Sequence, residues 1–202
     1  MESETVLFIA DREKTYQEKA KNEEDWTCFY TLNIHGGEAQ FAFAVPYKAV
    51  KMKKAGKKLV LTVKYDYNKP DLSHMEEDEE KKAALKAWKE EKDYEVFDEL
   101  PFWGNGQGYT NAKRNRYAIY DMGSGKLTYV ADEWTDCSQY SVLGNLLLYK
   151  AYPWKQSVMG IRPGVYLYNL STGETKTLIA PDSMRTGVVS LLDEKTALIA
   201  AT

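Results

Sequence analysis

The stretch Val165-Tyr-Leu-Tyr-Asn-Leu-Ser-Thr-Gly-Glu-Thr175 decides the fold, because two other parts of the chain repeat its pattern without a gap. An aromatic or β-branched run leads to Asn or Asp, one apolar residue follows, and a tight turn ends in Gly. The other copies are Phe29-Tyr-Thr-Leu-Asn-Ile-His-Gly-Gly-Glu-Ala39 and Tyr117-Ala-Ile-Tyr-Asp-Met-Gly-Ser-Gly-Lys-Leu127. Asn and Asp can bond backbone two residues on, and Gly supplies the positive φ that closes a hairpin. Each copy therefore predicts an antiparallel hairpin.

Strand-like segments flank each hairpin and extend it into a meander. The predicted strands are 5–10, 28–33 and 39–44, then 50–55, 59–67, 117–121 and 126–130, then 140–143, 146–152, 165–170 and 175–179, and finally 187–192 and 196–201. Repeated four-stranded antiparallel units with a period of roughly 40 to 50 residues are typical of propeller blades. The sequence predicts an all-β chain, a partial β-propeller of about three to four four-stranded blades with one short helical insertion. The blades are 1–45, 46–131, 132–181 and a partial blade 182–202.

One segment interrupts the repeat. Gly37 and Gly125 are separated by nearly twice the spacing between Gly125 and Gly173. We interpret the excess as an insertion over 68–95, although two diverged blades would also account for the spacing. Because the chain begins and ends within a blade, we expect it to be a fragment of a longer propeller.

The centre of the insertion has the pattern of a short helix. Ser73 and Glu76 form a capping-box pattern, and Leu85 and Trp88 share one face. Two pairs of opposite charge have helical spacing, Glu77 with Lys81 and Asp78 with Lys82. We expect the helix to pack through that face, and partner binding is the alternative.

Composition excludes several classes of protein. The chain has 202 residues, 44% of them hydrophobic, and a formal net charge of −3 with scattered basic residues, which gives no footprint for nucleic acid. It has no apolar run of about 18 residues and no signal-peptide pattern, so we expect no membrane contact and a cytoplasmic location. Cys28 and Cys137 lack zinc-site spacing, and free buried thiols are favoured over a bridge.

No pattern of catalytic residues is found in the chain. It contains no GxSxG, GxxxxGK[ST] or HExxH motif, and we predict no catalytic residue, cofactor or metal site. His35 falls in a hairpin turn and His74 at a predicted helix start, where solvated side chains are expected. The run Gly123-Ser-Gly-Lys126 suggests phosphate binding, but its position in the repeat identifies it as a hairpin turn.

Two stretches outside the repeat are candidates for binding. The segment 94–109 is dense in aromatics, carboxylates and glycine, and its Asp98 and Glu99 could hold a substrate's amino terminus. The alternative is a solvated loop leading into Phe102 and Trp103 as core residues. The basic run 113–116 could pair with this acidic segment or a neighbouring domain, or form an ordinary surface loop.

The same region carries a resemblance to a known family. The run Phe102-Trp-Gly-Asn-Gly-Gln-Gly-Tyr109, followed by Lys113-Arg-Asn-Arg-Tyr-Ala-Ile-Tyr-Asp121, resembles the N-terminal propeller of acylaminoacyl-peptidases, which are prolyl oligopeptidase-family serine peptidases. The opening Thr5-Val-Leu-Phe-Ile-Ala-Asp-Arg12, the Lys/Glu-rich loop to Trp26 and the first hairpin are also similar. In that family a seven-bladed propeller precedes an α/β-hydrolase domain with a Ser, Asp and His triad, and no triad residue has a counterpart here.

The resemblance implies a segment that gates or binds peptides for a hydrolase domain of the same parent chain, without activity of its own. A non-enzymatic propeller scaffold for protein contacts is the alternative. The expected partners are peptide substrates and that hydrolase domain, with no nucleic acid and no membrane. Unpaired edge strands at 5–10 and 196–201 also predict self-association.

Overall fold

The computed structural model describes residues 4–72, 75–91, 94 and 96–202. It divides the chain into two compact units, Met1–Ala49 with Tyr67–Glu95 and Val50–Asp66 with Val96–Thr202. The sheets of both units are antiparallel and the described residues contain only two short helices, so the all-β prediction is confirmed.

The strands predicted from the repeat lie in the expected order, together with a helix near the N-terminus and three two-residue strands that were not predicted. In the first half they are β1 (Thr5–Ile9), α1 (Lys14–Lys21), β2 (Thr27–Asn33), β3 (Gln40–Val45), β4 (Lys48–Ala55), β5 (Lys58–Asp66), α2 (Asp78–Glu90), β6 (Trp103–Gly104) and β7 (Gly108–Tyr109). In the second half they are β8 (Lys113–Asp121), β9 (Leu127–Tyr129), β10 (Thr135–Leu143), β11 (Leu146–Lys155), β12 (Val158–Met159), β13 (Gly164–Asn169), β14 (Thr175–Ile179), β15 (Thr186–Leu191) and β16 (Ala197–Ala201).

The first unit contains a three-stranded sheet in the order β1-β2-β3. Its core centres on Phe29, which is fully buried and stacks on Phe43 with ring centroids 4.7 Å apart. The sequence predicted only a loop between β1 and β2, but α1 lies there. Tyr16 on α1 packs against Trp26 at 5.0 Å and Phe41 at 6.0 Å, so aromatic packing explains a helix that its own sequence signals weakly.

The predicted helix of the insertion is α2, in the same unit. It begins at Asp78, with Glu77 as an N-cap residue that makes no side-chain capping bond, so the predicted capping box is wrong. Ser73 lies outside the described residues. Leu85 is buried as expected, and Lys82 forms an ion pair with Glu79 at 2.8 Å rather than with Asp78. A carboxylate-rich first turn favours the helix start in place of a cap.

The second unit contains two four-stranded meanders. One has the order β4-β5-β8-β9, and the other has the order β10-β11-β13-β14 with β12 beside β11. Strands β15 and β16 pair with each other, as do β6 and β7. Because β5 pairs directly with β8, the segment between them is an insertion into one sheet.

The hairpin turns follow the predicted chemistry. Asp121 Oδ1 accepts bonds from the backbone N–H groups of Gly123 and Ser124, both at 2.9 Å, and Asn169 Oδ1 accepts the equivalent bonds in the next sheet. Gly125 and Gly173 have φ angles of +69° and +78°, which favour glycine. The repeat therefore sets the same register in both sheets, with Asp121 and Asn169 at matching positions.

Side chains between the sheets form the core of the second unit. One cluster contains Val60 and Tyr117 from the first meander and Leu147 and Tyr149 from the second. A smaller cluster joins Leu148 and Val165 to Val189 of β15. Among the described residues, neither helix has the length and apolar character needed to cross a membrane.

Candidate functional site

The two predicted binding carboxylates, Asp98 and Glu99, differ in their surroundings. Asp98 is exposed, whereas Glu99 is buried and forms an ion pair with Arg114. Glu99 Oε2 accepts a bond from Arg114 Nη1 at 3.0 Å and from the backbone N–H of Ala112 at 2.7 Å. The pairing of the basic run with the acidic segment is therefore confirmed, and the surface-loop alternative is wrong for Arg114. Glu99 is engaged inside the protein, so only Asp98 presents its charge to solvent.

A stacked arginine fixes this part of the insertion. Arg114 lies on β8, and its guanidinium carbon is 3.7 Å from the centroid of the Trp154 ring. Asn111, which is 1% exposed, accepts bonds from the backbone N–H groups of Asp98 and Glu99 and donates to the Val96 carbonyl at 2.8 Å. These contacts hold the backbone of the acidic segment in one position.

The aromatic residues that follow are exposed. Phe102 and Trp103 are 41% and 56% exposed, so the expectation that they are core residues is wrong. They lie at and beside β6, which pairs only with β7 instead of joining a large sheet. Phe97 contacts Phe102 and Tyr109, with ring centroids 5.1 and 4.8 Å apart. The result is an aromatic cluster at the surface.

A cavity of about 630 Å³ lies within the second unit, and we call it the lysine cavity. It opens between the β4-β5-β8 part of the first meander and strand β10 of the second. Three lysines line it, Lys51 and Lys53 from β4 and Lys64 from β5. The other lining residues are Val50, Thr62, Asn115, Tyr117, Cys137, Ser138, Gln139, Tyr140, Ser141 and Val142.

The short side chain of Thr62 explains why space remains here. Asp121 and Asn169 are matching positions of the repeat, and their strand partners are Lys58 and Leu146. Lys58 and Leu146 are therefore equivalent, and so are Thr62 and Lys150, which lie four residues after them. Lys150 Nζ reaches β15 of the neighbouring sheet and donates to the carbonyls of residues 186 and 187, at 3.1 and 2.7 Å. Thr62 cannot span that distance, and the matching space is left open.

The charge of the cavity wall is positive. No carboxylate is among the residues that line it. Asp136 precedes the lining residue Cys137, but its carboxylate accepts a bond from the backbone N–H of Asn115 at 2.7 Å. All three lysines are exposed, and their positive charge favours an anion in the space that they line.

The remaining titratable groups of the cavity are neutral near pH 7. Burial raises the pKa of the Cys137 thiol to about 12, and burial also raises the pKa of Tyr117 and Tyr140. A thiol with so high a pKa is a poor nucleophile, because the thiolate is the reactive form. The arrangement is suited to binding an anion and not to covalent chemistry.

The remaining predicted positions offer no site. His35 is exposed, as expected, and lies 3.5 Å from Glu4. His74 lies outside the described residues. Cys28 and Cys137 are buried free thiols, so the prediction that they form no disulfide bridge is confirmed. Within the described ranges, no three His, Cys, Asp or Glu residues are placed to hold a metal ion.

Sequence reasoning missed the lysine cavity because it counted basic residues over the whole chain. A local signal was present: Lys51 and Lys53 alternate on a strand and therefore share a face. Nothing in the sequence alone brings Lys64 to them, because that contact depends on the pairing of β4 with β5.

Comparison with known proteins gives a likeness at the level of fold. No family model and no curated protein matches the chain. Two crystal structures of Pyrococcus horikoshii acylaminoacyl peptidase match with TM-scores of 0.54 and 0.53, each at 10% identity over 98% of this chain and 29% of that one. A variant of Synechocystis apocarotenoid oxygenase matches at 9% identity over 82% of this chain and 32% of that one, but its TM-score of 0.43 is too low to carry an argument.

The chain therefore spans less than a third of the length of the peptidase it resembles. At this identity the likeness shows the fold, which is that of the propeller part of acylaminoacyl peptidase.

Proposed function

We propose that this chain is a propeller segment of a prolyl oligopeptidase-family serine peptidase, and that it gates or binds peptide substrates for a hydrolase domain outside the chain. The observation that carries the proposal is the fold likeness to acylaminoacyl peptidase over 98% of the chain. The resemblance of 102–109 and 113–121 to blade motifs of the same family supports it independently of the coordinates.

The described site is suited to binding. Asp98 is available to a cationic group such as a peptide amino terminus, and Phe97, Phe102 and Tyr109 offer aromatic surface to apolar side chains. Glu99 has a structural role instead, because Arg114 neutralises it. Within the proposal, a cytoplasmic location fits the two free thiols, which persist in reducing compartments.

A scaffold without enzymatic function is the second candidate, and the exposed aromatic cluster favours it, since such clusters mark protein contacts. Strands β1 and β16 each lie at the edge of a sheet, so pairing between copies of the chain belongs to the same proposal. Sedimentation over a range of concentrations tests that pairing, and a monomer throughout would contradict it.

Hydrolysis separates the two candidates. The product of the complete gene is assayed on acylaminoacyl chromogenic peptides, with and without a serine-directed inhibitor, beside this chain alone. We expect inhibitor-sensitive turnover by the complete product and none by the chain. A complete product with no hydrolase domain, or with no inhibitor-sensitive turnover, would refute the peptidase proposal and leave the scaffold.

A further inference from the structure

We propose that the lysine cavity is a binding site for the carboxylate groups of an acidic peptide. The lining is positive and contains no carboxylate, and the volume of about 630 Å³ falls in the range of ligand pockets. Ser138 and Gln139 add polar groups to the lining that can bond a bound carboxylate, whereas the Asn115 amide already donates to Asp136 at 3.4 Å. The anionic character of the ligand follows from the cavity itself, and its identity as a peptide rests on the proposed function.

The simpler explanation for these lysines is protection of a sheet edge. Lysines on an edge strand prevent pairing with another chain, and β4 is an edge strand. Two observations argue against this explanation. Lys64 lies on β5, an inner strand that needs no such protection, and β10, the edge strand at the same place in the next sheet, contains no lysine. Lys48 and Lys54, also on β4, do not line the cavity and are explained by edge protection, whereas Lys64 is not.

The comparison of Thr62 with Lys150 supports a retained opening. Where Lys150 occupies the equivalent space, its ammonium donates to two backbone carbonyls of the neighbouring sheet. Where Thr62 stands, Lys51, Lys53 and Lys64 line the space from β4 and β5, and all three side chains are exposed.

Peptide binding to the purified chain tests the site. The probes are three fluorescein-labelled, N-acetylated tetrapeptides measured by anisotropy at low and moderate salt. The first contains two Glu residues and a free carboxyl terminus, the second replaces Glu with Gln, and the third is the amidated Gln peptide. We expect the first peptide to bind at least about tenfold more tightly than the third, with salt weakening only the carboxylate-dependent part. The second peptide, which keeps only the terminal carboxylate, shows whether that group or the acidic side chains cause the tighter binding.

Charge-matched variants locate the site. Lys51→Gln, Lys53→Gln and Lys64→Gln together should remove the preference for the acidic peptide. The control, Lys54→Gln, Lys57→Gln and Lys176→Gln, removes the same charge from exposed positions outside the cavity and should retain it. Equal affinity for the first and third peptides, or equal loss in both triple variants, would overturn the proposal.

Filling the cavity distinguishes a defined site from general electrostatic attraction, because one of the two filling variants also adds a positive charge. Thr62→Lys copies the residue of the neighbouring sheet, and Thr62→Met fills the cavity without adding charge. Both should weaken acidic-peptide binding at least about fivefold, because either side chain would occupy the volume that the peptide needs, whatever its charge. Tighter binding by Thr62→Lys would show a diffuse electrostatic attraction and overturn the site. Hydrolysis by the complete gene product is measured separately, so failure of the peptidase proposal remains distinguishable from failure of this one.

Discussion

Replacing Glu99 with Leu removes one partner of the buried ion pair with Arg114. The Arg114 side chain is 1% exposed and the Glu99 side chain 8%, so the remaining guanidinium cannot regain its charge solvation by turning to water. It would keep its bond to the Lys113 carbonyl at 3.1 Å and its stacking on Trp154, while the Ala112 N–H would lose its acceptor. Breaking a buried pair from one side costs about 3–5 kcal/mol.

For a chain of this length, 3 kcal/mol corresponds to a fall in Tm of about 6–12 °C. Differential scanning fluorimetry, supported by urea unfolding, measures it. The double variant Glu99→Leu with Arg114→Met removes both charges and should recover most of the loss, to within about 1–2 kcal/mol of the parent. Asp98→Asn is the matched control, because it neutralises the adjacent exposed carboxylate and should change stability by less than about 0.5 kcal/mol. A Glu99→Leu loss below about 1 kcal/mol, or a double variant no better than the single, would refute the reasoning.

Three further predictions follow from the described residues. Cys137 should not react with DTNB in the native protein near pH 8, because burial raises its pKa to about 12, and it should react once the chain is unfolded. Gly173→Ala should cost about 1 kcal/mol and lower the Tm by about 2–4 °C, because φ is +78° there. Asp121→Asn should flatten the loss of stability in acid. Bonds from the Ser124 and Gly123 N–H groups lower the pKa of Asp121, so its ionised form stabilises the fold above the ordinary value of 3.8 and the contribution disappears as pH falls below it.

Each of these has a clear contrary result. Native-state labelling of Cys137 as fast as in urea would contradict its burial. A Tm loss for Ser171→Ala equal to that for Gly173→Ala would remove the backbone explanation, since Ser171 is exposed and contributes its backbone N–H to the turn. If Asp121→Asn and the parent lose Tm in parallel between about pH 5 and pH 2.5, the hydrogen bonds to Asp121 contribute no ionisation-linked stability.

Local sequence chemistry was sufficient to predict the strands of the three- and four-stranded sheets and the β15–β16 pair, but not the two-residue strands β6, β7 and β12. Hairpins at Asn33, Asp121 and Asn169 depend on a side chain that bonds its own turn and on a glycine beyond it, and both signals lie within a few residues. The helix α1 was missed because Tyr16 is stabilised by Trp26 and Phe41, which lie elsewhere in the chain. The start of α2 was misplaced because a Ser and Glu spacing is a weaker signal than a carboxylate-rich turn.

The candidate site was less accessible to sequence reasoning. The sequence of a loop does not show whether a carboxylate faces solvent or a buried arginine. Glu99 was therefore identified as a candidate, but its pairing with Arg114 was not assigned as its role. The lysine cavity depends on packing between two sheets and on Thr62 standing where the next sheet has Lys150. Only the paired register of both sheets reveals that equivalence.

The gating role is tested most directly by presenting one cleavable sequence in two forms to the complete gene product. The sequence is offered as a free peptide and as a loop within a stably folded protein, and initial rates are compared at equal concentration. We predict inhibitor-sensitive cleavage of the free peptide and none of the folded protein, because the proposed gate would admit only short or extended chains. Equal cleavage of both forms would contradict the account.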